Sequence, residues 1–294
     1  MTMHTFINAP GPYMVATRLL RSLIAGLLAS CGAAITALAS PAGDALWLRE
    51  YYQARFPGVK LDDFKYGVYA IDEDAKLSWQ SLEEFPPYAE QLKRGKMLFD
   101  TPFANGKTYA SCFPNGGIGI RQNYPYFDAA SGEVKTLEQE INECRQHNGE
   151  APLDWRKGDM ASLAAHMAHT SKGRPLNIKL PDDPRALAWY EFGKQIYHQR
   201  FGQYNMSCAN CHIDYVGKRM RGPVLPPALG QPARFPLYRG AWGELGTLHW
   251  RYEDCILAIR GKPFAPQSRE FRALEYYQSY LGNGITIDGP ASSR

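Results

Sequence analysis

Cys208-Ala209-Asn210-Cys211-His212 has the spacing C-x-x-C-H. Two thiols three residues apart on one turn can add to the two vinyl groups of a porphyrin as thioethers. The imidazole that follows at once can ligate the iron from one face, and this combination is the attachment signature of haem c. Two other chemistries share part of the pattern. A C-x-x-C redox pair usually sits in a thioredoxin-like βαβ pattern, which is absent around residue 208. A structural zinc site wants a second ligand pair at suitable spacing, and the chain has none. The motif therefore predicts one covalently bound haem c, with Cys208 and Cys211 on the porphyrin and His212 as an axial iron ligand. Tyr190 to Tyr197 reads as the helix leading into it, through a loop from Arg200 to Asn205.

The remaining cysteines acquire meaning from an internal repeat. Cys112 is followed by Tyr124-Pro125-Tyr126-Phe127 and then by Thr136-Leu137 through Glu143-Cys144. Cys208 is followed by Phe235-Pro236-Leu237-Tyr238 and then by Thr247-Leu248 through Asp254-Cys255. In both, Thr-Leu lies eight residues before the second cysteine and an acid immediately precedes it. Gly95 and Gly193 precede the two halves at similar distances, and helical patterns follow each (Met160 to His169, Glu270 to Leu281). Self-similarity of this kind predicts a mainly α chain of two cytochrome-c-like domains, with the proline-containing stretch from Ser171 to Pro184 as linker. Only the C-terminal domain keeps its haem ligands, because Asn115 and Gly116 stand where the first half would need a cysteine and a histidine. Without a haem between them, Cys112 and Cys144 can close a disulfide over a loop of about 32 residues, stabilising the fold by roughly 3–4 kcal/mol. The other reading leaves both as buried thiols.

That pairing isolates Cys255, near the start of a helical run. A thiolate there is a candidate sixth iron ligand, alongside Met206, Met220, His198 and His249. Arg251 stands four residues earlier, on the same face if the segment is helical. Its guanidinium favours the thiolate and offers a fork of donors to an oxoanion. Alone, Arg251 also reads as a solvated helix charge or a contact to a haem propionate.

The first 39 residues contain no Asp, Glu or Lys, place Arg18 and Arg21 before an apolar stretch from Leu23 to Leu38, and end in Ala37-Leu38-Ala39. This predicts a cleaved export signal rather than a transmembrane span, and a periplasmic destination. Leu28-Ala29-Ser30-Cys31 also resembles a lipoprotein box, which makes lipid anchoring at Cys31 a second reading. Apolar residues at 45% and charged residues at 21% of 294 exclude a disordered chain and a multi-span membrane protein. A net charge of +4 without a long basic run leaves no electrostatic footprint for nucleic acid. The expected organisation is a signal over 1–39, a haem-less cytochrome-c-like domain over 40–175 and a haem c domain over 176–294. Residues 45–90 read as an extension packed on the first domain.

Together the Tyr124-Pro125 segment, Thr136 through Cys144-Arg145, the haem motif, Leu248-His249 through Cys255 and the tail Leu281-Gly282-Asn283-Gly284 resemble the SoxA family, subunits of the SoxAX cytochromes of bacterial sulfur oxidation. The resemblance spans nearly all of the chain after the export signal. Some members carry two haems; Asn115 and Gly116 make this chain similar to the single-haem type. The resemblance implies an L-cysteine S-thiosulfotransferase that joins thiosulfate oxidatively to a cysteine of the carrier SoxYZ, in a heterodimer with the monohaem cytochrome SoxX. It implies that the haem has His212 on one side and Cys255, often a persulfide in the family, on the other, with Arg251 as the active-site arginine. Two rival readings remain: an electron-transfer cytochrome c without sulfur chemistry, and a non-catalytic haem scaffold or assembly protein.

Overall fold

The computed structural model describes residues 40–220 and 222–293, so the export signal and Cys31 lie outside the described residues. The chain is mainly helical, as expected. Helix α1 (Pro41–Arg55) leads through a tight 3-10 stretch, Leu61–Ala70, to α2 (Glu73–Glu84). One succession of elements then occurs twice. First come α3 (Ala89–Asp100), short irregular turns, the hairpin β1 (Tyr126–Asp128) and β2 (Glu133–Lys135), α4 (Leu137–His147) and α5 (Asp159–His169). Then come α6 (Pro184–His198), the turn bearing Cys208 to His212, the hairpin β3 (Leu237–Arg239) and β4 (Glu244–Gly246), α7 (Leu248–Ala258) and α8 (Arg269–Leu281). A last strand, β5 (Ala291–Ser293), runs parallel to β3.

The two long-helix crossings depend on glycine. A Cβ on Gly95 of α3 would collide with the Ser162 carbonyl of α5, and one on Gly193 of α6 with the Ala273 carbonyl of α8. Backbone thus rests on backbone at both crossings, and any larger residue would force the helices apart. Asp183 caps α6 by accepting the Arg185 N–H (2.8 Å), and Pro184 fills the first helical position, where no donor is needed. Thr136 caps α4 by accepting the Gln139 N–H (3.1 Å).

In the first half, α4 turns Leu137, Ile141 and Cys144 inward at i, i+4 and i+7, against Phe99, Tyr109 and Met167. This interior is filled by side chains. Cys112 and Cys144 form a disulfide, with Cα atoms 5.8 Å apart.

Two expectations about organisation are corrected. Residues 45–90 do not pack on the first half alone: Tyr88 joins Ala161 and Ala165 of α5, but the stretch before it turns to the C-terminal half. Tyr52 and Phe64 are fully buried, and their segment reaches the C-terminal half instead. Asp62 accepts the Thr286 N–H (2.7 Å), Glu83 accepts the Ser292 N–H (2.7 Å), and the Arg234 guanidinium lies 5.2 Å from the Tyr69 ring and 5.4 Å from the Trp79 ring. Nor is the stretch after Ser171 a free linker. Gly173, Leu176 and Ile287 donate to Ile287, Ile285 and Arg174 carbonyls (2.8, 2.9 and 2.9 Å), stitching it to the tail. Leu48–Arg294 accordingly forms one compact unit. Among the described residues no helix is long and apolar enough to cross a membrane.

Candidate active site

The C-x-x-C-H segment is shaped by its own small polar residues. Ser207 and Asn210 cap one another: Asn210 N–H donates to Ser207 Oγ (3.1 Å), and Ser207 N–H donates to Asn210 Oδ1 (3.0 Å). A single π turn over Asn210–Asp214 follows. Cys208 and Cys211 are half-buried free thiols. Burial, then the neighbouring Cys255 and Cys211 sulfurs, pushes the Cys208 thiol up to about 12. Burial and Cys255 raise Cys211 to about 11, against the pull of Arg251.

His212 Nδ1 lies 2.9 Å from the Pro226 carbonyl and 2.8 Å from the Gln231 side-chain amide. The Gln231 atom at this distance is Nε2, and a carbonyl can only accept, so the tautomer that bonds Pro226 carries its proton on Nδ1. His212 Nε2 then keeps its lone pair, the arrangement an iron ligand requires. Burial, assisted by Arg251, pushes the imidazole down to about 4, so it is neutral at pH 7.

A clamp from α1 holds this turn from outside. Tyr52 OH donates to the His212 carbonyl and accepts the Ala228 N–H (2.9 Å), Tyr51 OH donates to the Ile213 carbonyl (2.9 Å), and Arg55 donates to the Val216 carbonyl (2.9 Å). Sequence reasoning missed these residues. Two adjacent tyrosines, Tyr51 and Tyr52, were the available signal.

Helix α7 forms the facing wall. It is helical through both Arg251 and Cys255, so the two share a face. The acids beside them are engaged elsewhere. Glu253 takes a bidentate bond from Arg156 (2.7 and 2.9 Å). Asp254 accepts from Trp242 Nε1 (2.7 Å) and Arg239 (3.2 Å). Trp242 stacks on Trp250 with centroids 4.1 Å apart. Arg251 is left without a carboxylate partner among the described residues, one turn from the half-buried Cys255 thiol. Arg239, also missed by the sequence reading, is close enough that burial and then Arg251 push its pKa down while Cys255 raises it.

The other ligand candidates lie differently. His249 is buried, with Nδ1 accepting the Gln267 N–H (3.0 Å) and Nε2 3.1 Å from Glu275. Met206 pairs its backbone with Phe201, Met220 sits in a turn closed on Pro223, and His198 ends α6 in solvent.

This donor set fits haem c: two free thiols on one turn, an imidazole with Nε2 available, and a third sulfur on the opposite helix. The first half does not fit it, because Cys112 is consumed in a disulfide and Asn115 and Gly116 offer no ligand. The helices, the thiol pair and the imidazole define a c-type cytochrome. Residues 94–176, in the half that lacks the C-x-x-C-H turn, match the family described as SoxA/TsdA, cytochrome c domain. The L-cysteine S-thiosulfotransferase subunit SoxA of Chlorobaculum tepidum is 50% identical over 244 residues, covering 83% of this chain and 85% of that protein. The subunit of the same name from Allochromatium vinosum is 44% identical over 257 residues, covering 87% and 91%. The crystal structure of SoxXA from P. pantotrophus superposes with a TM-score of 0.67 at 30% identity, over 74% of this chain and 83% of that one. The chain belongs to the SoxA family, the cytochrome c subunits of L-cysteine S-thiosulfotransferase.

Proposed function

We propose that the chain conjugates thiosulfate to a cysteine of a SoxYZ-like carrier protein in the periplasm, in a heterodimer with a SoxX-like monohaem cytochrome. The solved relative titled SoxXA supports the second subunit. The observation that carries the reading is the unpaired Arg251 guanidinium one turn from Cys255, with both neighbouring acids turned to other bases.

A single haem c would be held by Cys208 and Cys211 through its porphyrin and by His212 Nε2 and the Cys255 sulfur through its iron. When bound, it supplies a one-electron outlet beside that sulfur, at a potential that a thiolate ligand lowers. Arg251 anchors thiosulfate, a dianion, through its planar fork of donors. Cys255 is the soft sulfur that carries the substrate-derived adduct to the carrier. Overall, a carrier thiol loses its proton, a sulfur–sulfur bond forms to the outer sulfur of thiosulfate, and two electrons are released. The product is a cysteine S-thiosulfonate. The first half is read as a duplicated cytochrome c domain whose haem was replaced by an apolar interior and a disulfide.

Low-temperature EPR of the holoprotein tests this against Cys255→Ala. The expected result is a thiolate-type low-spin ferric signal that disappears in the variant, together with loss of thiosulfate conjugation. A His/Met-type signal indifferent to the substitution would remove Cys255 from the iron and favour an electron-transfer cytochrome.

A further inference from the structure

Helix α7 carries Arg251 and Cys255, and two side-chain rungs fix it to α8. His249 and Tyr252 stand three residues apart on α7, and Glu275 and Gln278 three residues apart on α8. His249 Nε2 lies 3.1 Å from Glu275 Oε2, and Tyr252 OH donates to Gln278 Oε1. Equal spacing on both helices makes a ladder, because i and i+3 share a face. All four residues are buried.

The first rung has a defined polarity. The Gln267 N–H donates to His249 Nδ1, which leaves the ring proton on Nε2, in close contact with the Glu275 carboxylate but not aligned for a hydrogen bond to it. The second oxygen of Glu275 faces Arg121 Nη2 at 3.8 Å. Arg121 comes from the first half and is itself held by donation to the Tyr124 carbonyl (2.8 Å). Glu138 shares this interior, where burial and Glu275 raise its carboxyl pKa. Glu275 thus has His249 beside one oxygen and Arg121 beside the other, so its buried carboxyl is not left without a basic neighbour.

Helix α8 also meets α6 backbone to backbone at Gly193, and α6 leads into the C-x-x-C-H turn. Both walls of the site are therefore measured from α8. We propose that Glu275 and Gln278 are positioning residues, which set the rotation and axial register of α7 and hence where Arg251 and Cys255 stand against His212. Through Arg121, the half without haem ligands contributes to that register. The inference rests on the reading of Cys255 and Arg251 given above.

The test uses the holoprotein with its partner subunit and compares Glu275→Gln and Gln278→Met with Tyr276→Phe. Tyr276 is on the same helix and donates to the Lys179 carbonyl (2.6 Å), away from the ladder. The ladder variants are expected to give a ferric EPR signal that is shifted or split into several low-spin species. Thiosulfate kcat/KM should fall by about tenfold, within the ~100-fold that an ångström of misplacement can cost. Tyr276→Phe should lower the Tm yet keep the parent signal and kinetics. If Glu275→Gln does not fold, Gln278→Met carries the test alone. Parent EPR and kinetics in folded ladder variants would overturn the proposal. A parallel Cys255→Ala sample separates the two readings. If its signal changes while the ladder variants stay like the parent, only the ladder is refuted. If its signal does not change, the assignment of Cys255 is refuted.

Discussion

Replacing Arg251 with Gln removes the one cation beside Cys255 that the fold leaves uncompensated. Arg239 does not substitute for it, since it already pairs with Asp254. Two unit charges 4 Å apart attract by about 4 kcal/mol at the effective dielectric of a partly buried site. Desolvation of the guanidinium and of thiosulfate offsets part of this, leaving about 2–3 kcal/mol for a charge-assisted contact. That corresponds to a rise in thiosulfate KM of about 30- to 150-fold. Steady-state conjugation with thiosulfate varied at saturating carrier measures it, and repeating the series with carrier varied supplies the control. Arg251→Lys should recover part of the loss, since it restores the charge without the fork. The thiosulfate KM of the parent should rise with ionic strength, and that of Arg251→Gln should respond weakly. A thiosulfate KM within about threefold of the parent, far below the worked ~30-fold, or an equal rise in carrier KM, would refute the reasoning.

Opening the Cys112–Cys144 link by Cys144→Ser should cost roughly 3–4 kcal/mol, read as a lower urea midpoint, while the haem spectrum is retained. Tyr52→Phe removes the hydroxyl that bridges the His212 carbonyl and the Ala228 amide; a loss of about 1–3 kcal/mol is expected, seen as a lower Tm and poorer haem incorporation. His166 is buried against Phe99, and burial lowers its pKa below the ordinary 6.5. The unfolded chain therefore takes up a proton first, so this residue erodes stability as pH falls from 6.5 towards its folded pKa. A His166→Gln chain should show a flatter acid limb in Tm against pH, and an unchanged limb would exclude His166 as its source.

Much of the site could be read from spacing alone because its parts are local. Cys208 to His212 occupy one turn, and Arg251 and Cys255 one helix face, so neither depends on tertiary detail. The Cys112–Cys144 pairing followed from comparing two stretches of one chain. The clamp was a different matter. Tyr52 meets His212 across 160 residues, and no periodicity encodes a contact at that distance. Arg239 was hidden for a related reason, since three-residue strands are too short to announce a hairpin. Residues 45–90 look as though they should cover the domain that follows them, yet Asp62 and Glu83 find their donors on Thr286 and Ser292. The proline-containing stretch after Ser171 excluded a helix correctly, but an extended segment bonded to the tail has the same composition as a loose connector.

The stitching of residues 173–176 to the tail has a consequence in time. A chain synthesised amino end first contains Cys208 to His212 before Gly284 to Ile287 exist to close the unit. Until then Glu83 has no Ser292 to hold, and the segment after Ser171 has no edge to join. The turn that carries Cys208 to His212 is therefore complete in sequence before the segment that closes the unit. The tail thus acts as a latch, since its hydrogen bonds to residues 173–176 and to Glu83 are the last that chain growth can supply.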